Sequence, residues 1–212
     1  MMKDPMQVKI RILIAEDHAL VREGLNLILD RTPDMEVVGS ASNGKEAVDL
    51  YTRVHPDVSL IDIHMPSLDG VGAIESIRAK DPKAKFVVLS TYDSEEDVYR
   101  SLKAGAQSYV LKEAPREQLI DAIRAVNKGE MRVAPEHMSK VTERMRHPSL
   151  TPREVQVLSL IIQGMSNLAI ANTLFVTEGT VKSHVNSLLS KMGVTDRTQA
   201  ALTAVRRGLV RL

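Results

Sequence analysis

The sequence predicts an α/β domain, a five-stranded parallel sheet covered on both faces by helices, followed by a small all-α domain of four helices. Five short runs rich in Val, Ile and Leu occupy the front of the chain, and each gives way to a stretch with helical spacing. Strands that alternate with helices pair in parallel, because each crossover helix carries the chain back along the sheet. Charge is also divided: residues 149–212 hold seven Lys/Arg against three acids, a net +4, which leaves −3 for residues 1–148 out of a total of +1. A length of 212 residues has room for two modest domains, and the basic one suits a polyanionic partner.

The strands are expected at Ile10 to Ala15, Glu36 to Ala41, Val58 to Ile63, Lys85 to Ser90 and Ser108 to Leu111. After the first, Leu20, Gly24, Leu27 and Ile28 recur at helical spacing until Pro33 stops the pattern. After the last, Pro115 opens a helix that carries Leu119, Ile120, Ile123 and Val126. This domain is expected over residues 8–128. From Gly129 to Pro148 the apolar periodicity thins and Pro135, His137, Lys140, Glu143, Arg144 and Arg146 accumulate, the composition of a partly helical linker.

The second domain, residues 149–212, begins with a clear start signal. Thr151-Pro152-Arg153-Glu154 offers an N-cap, a Pro at the first helical position and a Glu three residues after the cap, with Leu150 and Val155 able to staple across it. Gly164 ends that helix, Ser166 caps one running to Leu174, and Thr177 caps a third reaching Met192. At about 100° per residue, Val181, Val185, Leu188, Leu189 and Met192 form one stripe of the third helix. Gly179, Lys182, Ser183, Asn186 and Ser190 form its neighbour. A buried stripe beside a small, polar, cationic one, after a short helix and a tight turn at Phe175 to Thr177, composes a helix-turn-helix.

Composition narrows the chemistry. A hydrophobic fraction of 43% with 26% charged residues is that of a globular protein, and the absence of Cys excludes disulfides, thiolate zinc sites and a cysteine nucleophile. Aromatics at 3%, with no Trp, leave little for base-stacking platforms. No run of roughly 18 apolar residues is present to span a bilayer. Met1 to Lys9 lacks the apolar core of a secretory signal, so a cytoplasmic location without membrane attachment is expected. Met1, Met2 and Met6 are each possible starts.

Ligands of open α/β sheets lie beyond the carboxyl ends of the strands. There the chain places Glu16 and Asp17, then Asp62, then Ser90 and Thr91, then Lys112. Converging carboxylates repel unless one is protonated or a cation intervenes. All-oxygen ligands favour Mg²⁺ over zinc, and a lysine and a hydroxyl opposite the metal can hold the other oxygens of a phosphoryl group. Phosphoryl transfer, where positioning and charge neutralisation do the catalysis, fits the set. Asp62 is the least explicable otherwise, since an unpaired carboxylate between Ile61 and Ile63 is expensive. Asp69, in Ser67-Leu68-Asp69-Gly70, reads as a turn former.

Glu16-Asp17, Asp62-Ile63-His64-Met65-Pro66 with Asp69-Gly70, Ser90, and Tyr109 with Lys112 together resemble the receiver domain of bacterial two-component response regulators. Leu150-Thr151-Pro152-Arg153-Glu154, Gly164-Met165-Ser166-Asn167, Ile170-Ala171 and Thr180-Val181-Lys182-Ser183-His184-Val185 resemble the LuxR-type helix-turn-helix. The whole is similar to the NarL/FixJ type of response regulator. The resemblance implies a flavodoxin-like sheet of order 2-1-3-4-5 and phosphorylation of Asp62 by a sensor histidine kinase. It implies Mg²⁺ held by Asp17, Asp62, the backbone carbonyl of His64 and, through water, Glu16. Ser90 and Lys112 would hold phosphoryl oxygens, Tyr109 would turn inward as the switch, and His64 and Tyr92 fall where the family tunes dephosphorylation. Lys182, Ser183 and Asn186 would face the bases of double-stranded DNA, with Thr180, His184 and Lys191 nearer its backbone. A last helix from Thr198 through Arg206, with Ala200, Ala201, Ala204 and Val205, would pair two subunits of a homodimer formed on phosphorylation or DNA binding, unless those residues pack within the domain.

The chain departs from the common pattern at Glu16, more often Asp, and at Glu113, often Pro, which places the family's cis peptide in question. Leu168 and Ala169 replace the usual Lys and Glu. Two other functions compete. A Mg²⁺-dependent aspartyl phosphatase would usually carry a second Asp two residues after a first-strand nucleophile, where His18 stands here. A DNA-binding protein indifferent to phosphate would have no use for Asp17, Asp62, Ser90 and Lys112 together.

Overall fold

The structure, a computed structural model, describes residues 9–146 and 148–210. The possible starts Met1, Met2 and Met6, and Arg211 of the basic tail, lie outside the described residues. Internal contacts divide the chain into two units, residues up to Asp93 with Asp97–Met138, and Ser94–Glu96 with Ser139 onward.

The first unit is a five-stranded sheet of β1 (Ile10–Ala15), β2 (Met35–Ala41), β3 (Val58–Asp62), β4 (Phe86–Ser90) and β5 (Ser108–Leu111). Every pair is parallel and the order is β2-β1-β3-β4-β5, the doubly wound arrangement expected. Between the strands run α1 (Ala19–Asp30), α2 (Gly44–Val54), α3 (Gly70–Arg78) and α4 (Glu95–Ala104), and α5 (Arg116–Asn127) follows the last. Every residue of β3 and β4 is buried, which is why those strands read as continuous apolar runs rather than alternating ones. Ile12, Ile14, Leu60, Val87, Leu89 and Val110 meet Leu25 and Leu29 of α1 and Leu119, Ile123 and Val126 of α5. Side chains alternate along a strand, so Leu13, Ile61, Val88 and Tyr109 point to the other face. There α2 closes in: a Cβ on Gly39 would stand 3.2 Å from Leu13 and 3.8 Å from Val54. Because β1 lies between β2 and β3, the crossovers leave it in opposite directions and open a crevice beyond the carboxyl ends of β1 and β3.

The stretch expected as a linker is not a free tether. It contains α6 (Pro135–Met145), and its first half completes the sheet edge. An edge strand has unpaired backbone groups, and β5 satisfies some through residue 132. The Arg132 N–H donates to Gln107 O at 2.8 Å and the Ser108 hydroxyl donates to Arg132 O at 2.6 Å. The His137 ring then meets the Tyr109 ring edge-on, with centroids 4.9 Å apart.

The second unit contains α7 (Pro152–Ile162), α8 (Asn167–Leu174), α9 (Glu178–Met192) and α10 (Arg197–Arg207). Thr151 and Glu154 form the expected capping box, and Ser166 and Thr177 cap α8 and α9 by accepting from Ala169 N and Thr180 N. Val157, Leu158, Ile161, Ile170, Val181, Leu188 and Met192 form one core. Ala200 and Ala204 of α10 are buried in that same core, so packing within the domain claims them. Their small side chains let α10 sit close, and the apolar residues left at its surface are Leu202, 69% exposed, and Val205.

Candidate functional site

Four backbone segments converge on the crevice. Glu16 and Asp17 leave β1, Asp62 is the last residue of β3, Ser90 ends β4, and Lys112 follows β5. Asp69 behind them is the turn former expected: its Oδ1 accepts from Gly72 N at 2.7 Å and caps α3. Gly70 lets the loop fold back on the acceptor strand, since a Cβ there would lie 2.2 Å from Asp62 O.

Asp62 is 1% exposed. Its Oδ2 accepts from Lys112 Nζ at 2.9 Å and its Oδ1 from His64 N at 3.1 Å. Burial pushes its carboxyl above the ordinary range; the Lys112 bond and the His64 amide oppose that rise and the Glu16 charge adds to it. Lys112 moves in the direction that keeps its proton: burial works against the charge, and the carboxylates of Glu16 and Asp62 outweigh it. Lys112 Nζ lies 2.7 Å from Glu16 Oε2, so one ammonium serves two buried acids.

A cation fits the remaining valence. Ligand atoms of Glu16, Asp17, His18 and Asp62 lie within 4.8 Å of one another. Glu16 Oε2 and Asp17 Oδ1 are buried without an aligned hydrogen bond, although Lys112 Nζ and His18 Nδ1 approach them within ion-pair range. Three carboxylates gathered this closely repel one another, and a divalent cation would relieve more of that charge than the single Lys112 ammonium does. His18 was missed as a member of this cluster by sequence reasoning, which treated it only as the residue standing where a phosphatase has its second Asp. Its position beside Glu16 and Asp17 was the available signal. In the structure its imidazole is largely exposed and stands 2.8 Å from Asp17 and 3.1 Å from Glu16.

Ser90 is buried, with its hydroxyl accepting from Tyr92 N at 3.2 Å. Tyr109 is the residue expected to turn inward. It is already inward, 1% exposed, and its hydroxyl donates to Tyr92 O at 2.6 Å. The His137 ring meets it edge-on. No cis peptide occurs among the described residues, Lys112–Glu113 included.

In α9 the wheel separates as expected. Thr180, Lys182, Ser183 and Asn186 are exposed, His184 is half-buried, and Val181, Leu188 and Met192 are inside. Lys182 pairs with Glu178 one turn earlier at 3.0 Å. Lys191 differs from expectation: its Nζ lies 2.7 Å from Glu154 Oε2, and the buried Glu154 also accepts from Ser187 Oγ and Thr151 N. That ammonium neutralises an internal acid and is not a free cation on the flank.

The first unit matches the response regulator receiver domain over residues 12–124, and the second matches the bacterial regulatory proteins of the luxR family over residues 148–204. The chain belongs to the response regulators. This response regulator is 42% identical over 209 residues to the transcriptional regulatory protein LiaR of Bacillus subtilis (strain 168), covering 95% of this chain and 99% of that one. It is 38% identical over 206 residues to the response regulator protein VraR of Staphylococcus aureus (strain Mu3 / ATCC 700698), with 95% and 99% covered. Among solved structures it is similar to the response regulator ChrA of a heme-sensing two-component system, at 37% identity and TM-score 0.58 over 95% of this chain and 99% of that one. It is also similar to the response regulator RcsB in a DNA complex, at 25% identity and TM-score 0.66, covering 93% and 98%. It is thus a two-component response regulator with a receiver and a LuxR-type DNA-binding domain. Among the described residues no helix is long and apolar enough to cross a membrane.

Proposed function

We propose that this response regulator accepts a phosphoryl group on Asp62 from a phosphohistidine of a sensor histidine kinase, and that acceptance controls dimerisation and binding to double-stranded DNA in the cytoplasm. The observation that carries the reading is the buried Asp62 sharing the Lys112 ammonium with the buried Glu16, beside the Asp17 carboxylate. Asp62 would be the nucleophile, Lys112 and Ser90 would hold phosphoryl oxygens, and Asp17, Asp62, the His64 carbonyl and Glu16 would hold Mg²⁺. When bound, the metal neutralises charge on the transferring group. The protein's own part is to keep the acceptor dry, aimed and paired with an ammonium. Ser90, drawn toward the new phosphoryl group, would disturb its contact with Tyr92, whose carbonyl holds Tyr109. The protein is not an enzyme acting on other molecules; it takes part only in its own phosphorylation and dephosphorylation. The test is incubation with Mg²⁺ and acetyl phosphate, followed by mass measurement and a shift assay on genomic fragments.

Two expected results follow from the same geometry. Mg²⁺ should raise the melting temperature of the receiver, because a ligand that binds only the folded state stabilises it. Asp17→Ala should lose both that rise and phosphate uptake. Calorimetry with and without Mg²⁺ checks this, and an unchanged melt in the native chain would reject the metal site.

On the DNA side, the exposed Asn186 can pair bidentately with adenine, and loss of a good base contact costs about 1–3 kcal/mol of discrimination. Asn186→Ala should therefore weaken operator binding while leaving random DNA and its salt slope nearly unchanged. Lys182→Ala should act on both, reducing the salt slope by roughly one unit if the ammonium meets phosphate. Salt titrations on both DNAs are the measurement. A uniform loss for Asn186→Ala would turn that stripe away from the bases.

A further inference from the structure

Asp97, near the start of α4, is a carboxylate that the phosphoacceptor reading leaves without a task. It is 3% exposed, and a buried acid is expensive unless something answers its charge. Its Oδ2 lies 3.4 Å from Nε2 of His64, a long contact but one that directs the ring. The same His64 donates its backbone N–H to Oδ1 of Asp62. The residue is thus pinned at two points, its main chain to the acceptor and its ring edge to α4.

We propose that Asp97 is a positioning residue for loss of the phosphoryl group from Asp62, acting through the imidazole of His64. The inference rests on Asp62 being the acceptor. In hydrolysis the oxygen of a water forms a bond to phosphorus as the bond from phosphorus to the Asp62 oxygen breaks. The carboxylate is regenerated, and both protons of the water leave on the released dihydrogen phosphate. That water must approach on the side away from the acceptor oxygen. On this proposal the ring two residues from the acceptor, drawn toward α4 by Asp97, narrows the approach, and loss of Asp97 loosens that hold. Asp97 therefore lengthens the life of the phosphorylated state, and it ties that life to the position of α4.

The experiment uses the full chain, charged with acetyl phosphate and Mg²⁺ and then freed of donor, with decay of the phosphorylated form followed by intact mass. Asp97→Ala should shorten the lifetime roughly three- to tenfold, His64→Ala should do likewise, and the double variant should be no faster than either single one. Asp97→Asn, which keeps an acceptor oxygen for the ring, should stay within about twofold of the native chain, a rescue that a purely structural role would not give. Asp97→Leu repeats the alanine comparison with the volume filled, should the alanine variant unfold. An unchanged or longer lifetime in Asp97→Ala, or effects that multiply in the double variant, overturns the inference alone. A native chain that takes up no phosphate at Asp62 removes the acceptor reading and this inference with it.

Discussion

Asp62→Asn should abolish phosphate uptake and at the same time raise the melting temperature of the metal-free receiver. The first effect follows because an amide is a poor nucleophile and Asp62, the last residue of β3, is the acid that the proposal makes the acceptor, paired with Lys112. The second follows from the direction of its ionisation. Burial holds the folded carboxyl above its ordinary range, so the group favours the folded state while protonated, below its unfolded pKa. That contribution is lost as pH rises through the folded value. Above that value the carboxylate opposes folding, and the amide removes the opposition while Lys112 keeps Glu16. Mass measurement after acetyl phosphate and a pair of thermal scans are sufficient. Equal phosphate uptake by the variant would overturn the assignment of the acceptor, and a lower melting temperature would overturn the electrostatic account.

Glu154→Ala should unfold the DNA-binding domain more readily than any change on the reading stripe. Burial alone would raise the Glu154 carboxyl, but Lys191, Ser187 and Thr151 together hold it down at about 2. A group whose folded pKa is depressed contributes stability above its unfolded pKa and loses it as pH falls through the folded value. Between the ordinary glutamate value and about 2 the contribution should fade. Its full size at neutral pH is about 3 kcal/mol, since each tenfold change in an ionisation constant is worth about 1.4 kcal/mol. Removing the acid also strands the half-buried Lys191 ammonium beside an empty site, which adds to the loss. Lys191→Ala should likewise lower the melting temperature of this domain, with little change in the salt slope of DNA binding. Chemical denaturation of the full chain at pH 7 and pH 3 measures both. Native-like stability of Glu154→Ala at pH 7 would mean the network contributes nothing.

Much of this was legible in the sequence because the relevant physics is local. The continuous apolar strands, the capping box at Thr151 and Glu154 and the polar stripe of α9 are patterns of neighbouring residues, and each appears where expected. Polar residues at strand ends were legible too, because a parallel sheet brings those ends to one edge whatever lies between. What stayed hidden depends on partners far apart in the chain. Lys191 looks like a surface cation until α7 delivers Glu154 to it across 37 positions. Ala200 and Ala204 are apolar and small on any reading, and only the packed domain decides between its own core and a second subunit. Tyr109 offered no sign of its rotamer, which is set by the Tyr92 carbonyl and a histidine beyond the end of α5.

That histidine bears on how such a chain can be recombined. A splice at the end of α5, where homology to other receivers suggests a clean cut, would sever residue 132 from the β5 edge and uncover an aromatic ring the fold keeps dry. A splice after Met138 carries the whole seam with the receiver. Chimaeras joined at the two points should differ in solubility before they differ in signalling.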